Sequence, residues 1–158
     1  MGQTLRVPTI TVDTSIHAPQ AVVFDAARDI ALHCRTTDWT GERAVAGVTH
    51  GLIGLGESVT FEAVHFGVRQ RLTGQVVEME IPHRFVDVML RGAFAELRHT
   101  HEFLPEGTGT IMRDTLEWRA PLGPLGRLAD ALFLVRYMTK FLVRRGTALK
   151  SAVEASGP

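Results

Sequence analysis

The sequence is poor in cysteine, in net charge and in long apolar runs. Cys34 is the single cysteine among 158 residues, so no internal disulfide can form. Lys plus Arg number 17, as do Asp plus Glu, so no overall charge favours nucleic acid or anionic lipid. The most apolar stretch, 128–143, is interrupted by Arg136 and Lys140 and does not suit a membrane span. With no apolar signal sequence at the N-terminus, we expect a reducing, cytoplasmic location, no nucleic-acid partner and no membrane span.

The length and the 45% hydrophobic content fit one domain over residues 1–158. Six segments alternate apolar and polar residues or are rich in β-branched residues, and Gly67, Gly92 and Pro- or Gly-containing turns separate the later ones. They predict one early strand followed by an antiparallel meander. The predicted strands are Val7–Ile16, Glu57–Phe66, Val68–Glu80, Arg84–Arg91, Ala93–Phe103 and Thr110–Trp118.

Helical patterns lie after the first strand and at the C-terminal end. Pro19 suits the first position of a short helix, and a second helix is predicted over Ile30–Cys34. The glycine-containing region 36–56 predicts loops and short strands. After Pro124 a helical period of apolar residues predicts a helix of about 30 residues, or roughly 45 Å. Its predicted apolar stripe comprises Leu125, Leu128, Leu132, Val135, Met138, Leu142, Leu149 and Val153.

This order of elements predicts an α+β helix-grip fold, in which a strongly curved antiparallel sheet wraps around the long C-terminal helix. The helix is the main cover for the apolar face of the sheet. Glycines such as Gly67, Gly74 and Gly92 permit bends that lift the sheet away from the helix. A gap between the two would hold a ligand.

Several segments resemble a known superfamily over nearly the whole chain. Ser15–Asp25 (SIHAPQAVVFD) resembles the strand-to-helix opening of START-like proteins, which include Bet v 1-type proteins and polyketide cyclases. Four further segments look like a bacterial branch related to polyketide cyclase and dehydrase-type proteins. The resemblance implies a helix-grip fold and a ligand-binding role, but no particular substrate. The four segments are Gly51–Glu57 (GLIGLGE), His65–Thr73 (HFGVRQRLT), Met112–Asp114 (MRD) and Pro121–Gly126 (PLGPLG).

Two histidines share one face of a predicted strand. The period of two places His99 and His101 on the same side, with Cα atoms roughly 7 Å apart. The turn before the next strand brings Asp114 opposite either His99 or His101. A His–Asp pair in a pocket can act as a general base in a cyclisation or dehydration, and the same residues can equally form a satisfied polar cluster. We favour the structural or ligand-orienting role over catalysis.

A metal site would need a third ligand, which His33, His65 or Asp114 could supply. The sequence contains no tightly spaced ligand motif, so we predict no metal and no cofactor.

Charged residues on the strands give further candidates. Alternation directs Arg69 and Arg71 to solvent and Gln70 into the cavity. Arg91 is in phase with Asp87, so it could bind a ligand carboxylate or enolate; we favour a salt bridge with Asp87.

Apolar residues on the strands and the C-terminal helix supply the rest of the expected site. Lining a cavity and filling a core need the same residue types, so most of these residues have two interpretations. Tyr137 could orient a ligand, although packing is the favoured interpretation. The predicted ligand-binding set is Phe61, Gln70, Met89, Arg91, Leu97, His99, His101, Met112, Asp114, Leu116, Trp118, Leu132, Val135 and Met138.

These observations favour a non-catalytic protein that binds or carries a small apolar molecule such as a lipid, isoprenoid or aromatic metabolite. One alternative is an enzyme of the cyclase or dehydratase kind using the His–Asp pair. Another is a peripheral membrane or protein interaction module, because Arg136, Lys140 and Arg144 form a basic stripe beside Phe133, Tyr137 and Phe141. For that stripe we favour a solvated helix face. A homodimer is compatible with the sequence.

Overall fold

A computed structural model describes residues 7–157 and contains a seven-stranded antiparallel sheet in the order β1-β7-β6-β5-β4-β3-β2. The C-terminal helical region consists of an α-helix, a π-helical segment and a second, longer α-helix. The strands are β1 (Thr9–Ile16), β2 (Arg43–Gly47), β3 (Ser58–His65), β4 (Val68–Glu80), β5 (Arg84–Arg91), β6 (Glu96–Glu106) and β7 (Gly109–Arg119). The helices are α1 (Gln20–Arg28), α2 (Ile30–Thr36), α3 (Gly123–Ala129), the π-helical segment Asp130–Leu134 and α4 (Val135–Ala155).

The sequence prediction of a helix-grip fold is confirmed. The meander forms as predicted, and β4 and β5 have the predicted bounds. One strand was predicted to begin at Ala93, but β6 begins at Glu96, where the register with β7 starts at the Glu96–Arg119 pair. Residues 93–95 belong to the bend between β5 and β6, and Ala93 and Ala95 are exposed.

One end of the fold, which we call the closed end, contains a core of buried apolar side chains. Phe24 of α1 packs edge-to-face against Phe85 and Phe103, with ring centroids 5.6 and 5.2 Å apart. Leu149 and Val153 of α4 join the same cluster. Asp29 accepts a hydrogen bond from the Leu32 backbone N–H at 3.0 Å and so caps α2 at its start. The two short helices and the C-terminal half of α4 therefore cover this part of the sheet.

The helix approaches β1 at a glycine. A Cβ atom on Gly146 would lie 2.4 Å from Oγ1 of Thr14, well inside van der Waals contact. With any larger residue at this position, either the Thr14 side chain or α4 would have to shift. Gly146 thus allows α4 to lie close to β1 at the closed end.

The other end, which we call the open end, has a different relation between helix and sheet. Its cluster includes Leu97, Leu116, Met138 and Leu142, but the residues before α4 contribute little to it. Leu125, Leu128, Leu132 and Val135, which the helical period predicted to be apolar core, are all exposed. The prediction of one continuous buried stripe was therefore wrong in its first half, because α3 and the π-helical segment extend past the packed surface. Within residues 7–157, no helix combines the length and apolar character needed to cross a membrane.

Candidate functional site

A polar cluster lies on the inner face of the sheet between the closed and open ends. The register places His101 opposite Asp114 on β7, and His99 opposite Asp87 on β5. The sequence left open which histidine faces Asp114 across the strands. The structure shows that His101 is the paired residue, while His99 also reaches Asp114 with its side chain.

Asp114 is the centre of this cluster. Its Oδ1 is 2.9 Å from Nε2 of His99, in a hydrogen bond, and 2.9 Å from Nδ1 of His101, in a contact without hydrogen-bond geometry. Nε2 of His101 and Oδ2 of Asp87 are 2.9 Å apart. Phe85 stacks on the His101 ring at a centroid distance of 4.1 Å. The two carboxylates and two imidazoles thus form one continuous network.

The two histidines differ in their protonation. Burial lowers the pKa of His99, and the neighbouring His101 lowers it further against the opposing effect of Asp114. Burial also disfavours the charged form of His101, but Asp114 and Asp87 outweigh it and raise its pKa. Burial alone would raise the pKa of Asp114, yet contacts with both histidines hold it well below its usual range. Relative to a free histidine, the network thus favours the protonated form of His101 and the neutral form of His99.

Arg145 adds a positive charge to the cluster from α4. It is 3% exposed, and its Nη1 lies 3.7 Å from Oδ1 of Asp114. Its helical spacing of three from Leu142 and four from Leu149 places it on the buried face of α4. The sequence analysis missed Arg145, although its position between two residues of the predicted apolar stripe was the signal that could have found it.

A cavity of about 360 Å³ opens beside this cluster, between the sheet and the helix. Most of its wall is apolar, and a smaller cavity of about 90 Å³ continues toward the closed end. Both cavities border His99, Asp87 and Arg145. The larger wall includes Phe61, Ala63, Phe66, Leu72, Phe94, Leu97, Leu116, Leu134, Met138, Phe141 and Leu142.

A second group of polar side chains also lines the larger cavity. His33 Nε2 lies 2.7 Å from Oε1 of Glu42, and the His33 ring stacks on Phe61. Burial would raise the pKa of Glu42, but His33 outweighs it and the pKa is lowered. Nδ1 of His65 is within hydrogen-bond distance of the Tyr137 hydroxyl. Sequence reasoning did not identify Glu42, which belongs to no motif and lies in the glycine-containing region.

The predicted ligand-binding residues separate into three groups. Phe61, Gln70, Leu97, His99, Leu116 and Met138 lie on the wall of the larger cavity, and His101 borders the smaller one. Met112 and Trp118 are buried core residues, and Asp114 lies behind the histidines. Four others are outside the site: Met89, Arg91, Leu132 and Val135.

The prediction of a salt bridge between Arg91 and Asp87 was wrong. Arg91 is exposed at the end of β5, beyond the last paired residue with β6, Val88. Asp87 instead faces inward to His101. Arg69 and Arg71 are mainly exposed, as predicted, and both face Glu62.

The basic stripe on the C-terminal helix needs one correction. Arg136 and Lys140 are exposed, and Arg144 lies over the Trp39 ring at 4.4 Å from its centroid. Tyr137 and Phe141, which the stripe interpretation placed at the surface, line the cavity.

Asp87, His99 and His101 also have the composition of a metal site, with ligand atoms within 4.8 Å of one another. The sequence analysis considered His33, His65 or Asp114 as the third ligand, whereas the structure brings Asp87 to the pair. Arg145 supplies positive charge beside this group, with its Nη1 3.7 Å from Oδ1 of Asp114.

A curved antiparallel sheet around a long C-terminal helix, with a ligand-sized cavity between them, defines a START-like, Bet v 1-like helix-grip protein. Residues 7–154 match the model of the family described as polyketide cyclase / dehydrase and lipid transport, and the chain belongs to that family.

Solved structures of this fold are similar over almost the whole chain. TTHA0849 from Thermus thermophilus has a TM-score of 0.79 at 23% identity, covering 96% of this chain and 100% of that one. A norcoclaurine synthase point mutant from Thalictrum, in complex with a transition state analogue, has a TM-score of 0.70 at 13% identity, covering 97% and 98%. Major latex-like protein 151 from Panax ginseng has a TM-score of 0.64 at 12% identity, covering 92% and 97%. At these identities the likeness concerns the fold alone. No curated protein sequence matches the chain.

Proposed function

We propose that this protein binds and carries a small, mostly apolar molecule in the cavity between the sheet and α4. The observation that carries the proposal is the cavity itself, about 360 Å³ with a mainly apolar wall and a polar cluster at its inner end. Such a volume lies within the range of small-molecule sites, and a few convergent polar groups in an apolar pocket are typical of them. The family description, which includes lipid transport, supports the same function.

Native mass spectrometry of freshly purified protein, followed by denaturing extraction, tests this proposal. We expect an added mass that is released as an apolar compound, or, after delipidation, saturable binding of an apolar fluorescent probe. Leu97→Trp fills the cavity from its wall and should reduce probe affinity at least tenfold. Leu132→Trp is the matched control, since Leu132 is exposed outside the cavity. Equal affinity in both variants, with unchanged melting temperatures, would contradict binding in this cavity.

Acid–base catalysis is the second candidate function, and one observation favours it. His99 borders the cavity, is hydrogen-bonded to Asp114 and has a lowered pKa, which are the properties of a neutral general base held in one orientation. An enzyme returns a changed compound after incubation, and His99→Gln should abolish that change while the protein still binds the compound. A carrier returns the compound unchanged in wild type and variant alike.

A further inference from the structure

Arg145 occupies a position that is unusual for a guanidinium. It lies at the inner end of the larger cavity, where the smaller cavity begins, and its side chain borders both. It is also 3% exposed, so bulk water does not solvate it. A charged group at such a place needs partners from the protein or from a ligand.

The described chain gives Arg145 few partners. Its Nε is buried without a hydrogen-bond partner, and its one ion pair, with Asp114, is 3.7 Å long and includes no hydrogen bond. A guanidinium has five N–H donors arranged as a fork. Its hydrogen-bonding capacity is therefore unused within residues 7–157.

The three carboxylates around the guanidinium each bind a histidine instead. Asp114 accepts from His99, Asp87 pairs with His101, and Glu42 pairs with His33. These carboxylates stabilise the positive charge of Arg145 from a distance. They do not take up its N–H groups, which are left for a molecule in the cavity.

We propose that Arg145 anchors a carboxylate group of the bound molecule, so that the ligand class is an apolar carboxylic acid whose hydrocarbon part fills the larger cavity. This inference rests on the proposed binding function and specifies its ligand. A carboxylate accepts two parallel hydrogen bonds from a guanidinium, which matches the fork that Arg145 presents. An ammonium group at the same place would be repelled by the Arg145 guanidinium, which borders the cavity.

A comparison of acids with their methyl esters tests the inference on the wild-type protein. The probes are anthracene-9-carboxylate and cis-parinaric acid, each against its methyl ester, followed by fluorescence after delipidation. We expect each acid to bind at least about tenfold more tightly than its ester, since a charge-assisted bidentate pair supplies that difference. Acids and esters that bind equally would overturn the carboxylate anchor and leave the binding function intact. If the protein binds none of the four probes, both proposals fail.

Variants then test whether the Arg145 side chain causes the preference for the acid over its ester. Arg145→Met should remove the difference between acid and ester while ester affinity changes less than threefold. Arg136→Met, an exposed arginine on the same helix, is the control and should retain the full preference. Arg145→Lys keeps the charge but not the fork, so it should retain only part of the preference; it also serves if Arg145→Met does not fold. An unreduced preference in folded Arg145→Met or Arg145→Lys would overturn the assignment.

Discussion

The closed and open ends of this molecule are built from the same residue types but have different relations between helix and sheet. At the closed end Phe24, Phe103 and Leu149 are fully packed, and Gly146 lets α4 come close to β1. At the open end Leu97, Leu116 and Met138 line the larger cavity, and Leu125, Leu128 and Leu132 before α4 are exposed. The comparison teaches that the same types of apolar residue form a packed core at one end and the wall of a cavity at the other.

Replacing one phenylalanine at each end with alanine should give the largest difference in the free energy of unfolding. Phe24 is 0% exposed, so Phe24→Ala should lower the free energy of unfolding by about 3–5 kcal/mol. Phe133 is 64% exposed, so Phe133→Ala should change it by no more than about 0.5 kcal/mol. Urea unfolding monitored by circular dichroism measures both. Similar losses in the two variants would remove the distinction between the ends.

Substitution at Gly146 tests whether close approach of the helix holds the closed end together. Gly146→Ala should destabilise by about 1–3 kcal/mol, because the new methyl group meets Oγ1 of Thr14. In a Thr14→Ala background the clash is gone, and the same change should be neutral or stabilise by up to about 1 kcal/mol through helix propensity. A double-mutant cycle by thermal or urea unfolding measures the coupling. The same loss in both backgrounds would show that the contact does not limit the approach.

The histidines between the two ends should titrate on opposite sides of their ordinary pKa of 6.5. His101 has a raised pKa, so its contribution to stability is present below 6.5 and is lost as the pH rises through its folded value. His99 has a lowered pKa, so its contribution is present above 6.5 and is lost as the pH falls through its folded value. The two losses fall on opposite sides of pH 6.5, so these histidines should give a maximum of stability near that pH.

Histidine Cε1–H NMR signals recorded across the pH range measure these titrations directly. Both cluster histidines titrating on one side of 6.5 would contradict the division of charge within the network.

Sequence patterns were sufficient to predict the sheet, but they predicted the site only in part. Alternation located β4 and β5 and placed His99 and His101 on one face, because the period of a strand is fixed by its backbone. The helical period could not show that Leu125 and Leu132 are exposed, since it identifies an apolar face but not how far the sheet extends beneath it. Arg91 was uncertain because alternation alone does not show where strand pairing ends.

The polar partners at the site were harder to predict than the histidines. Glu42 reaches His33 from a short segment before β2, across a contact that no local pattern specifies. Arg145 was not among the predicted site residues, although it occurs in phase with Leu142 and Leu149. Such contacts depend on how distant elements meet, which a single sequence does not state.

The separation of the packed core around Phe24 from the larger cavity has a consequence for engineering. Leu97, Leu116 and Met138 belong to the cavity wall and lie in a different cluster from the one around Phe24 and Leu149. A library that varies only those three wall positions can therefore change the shape and volume offered to a guest molecule while the packing at the other end is retained. The fold thus provides a scaffold in which selectivity and folding can be optimised on separate sets of residues.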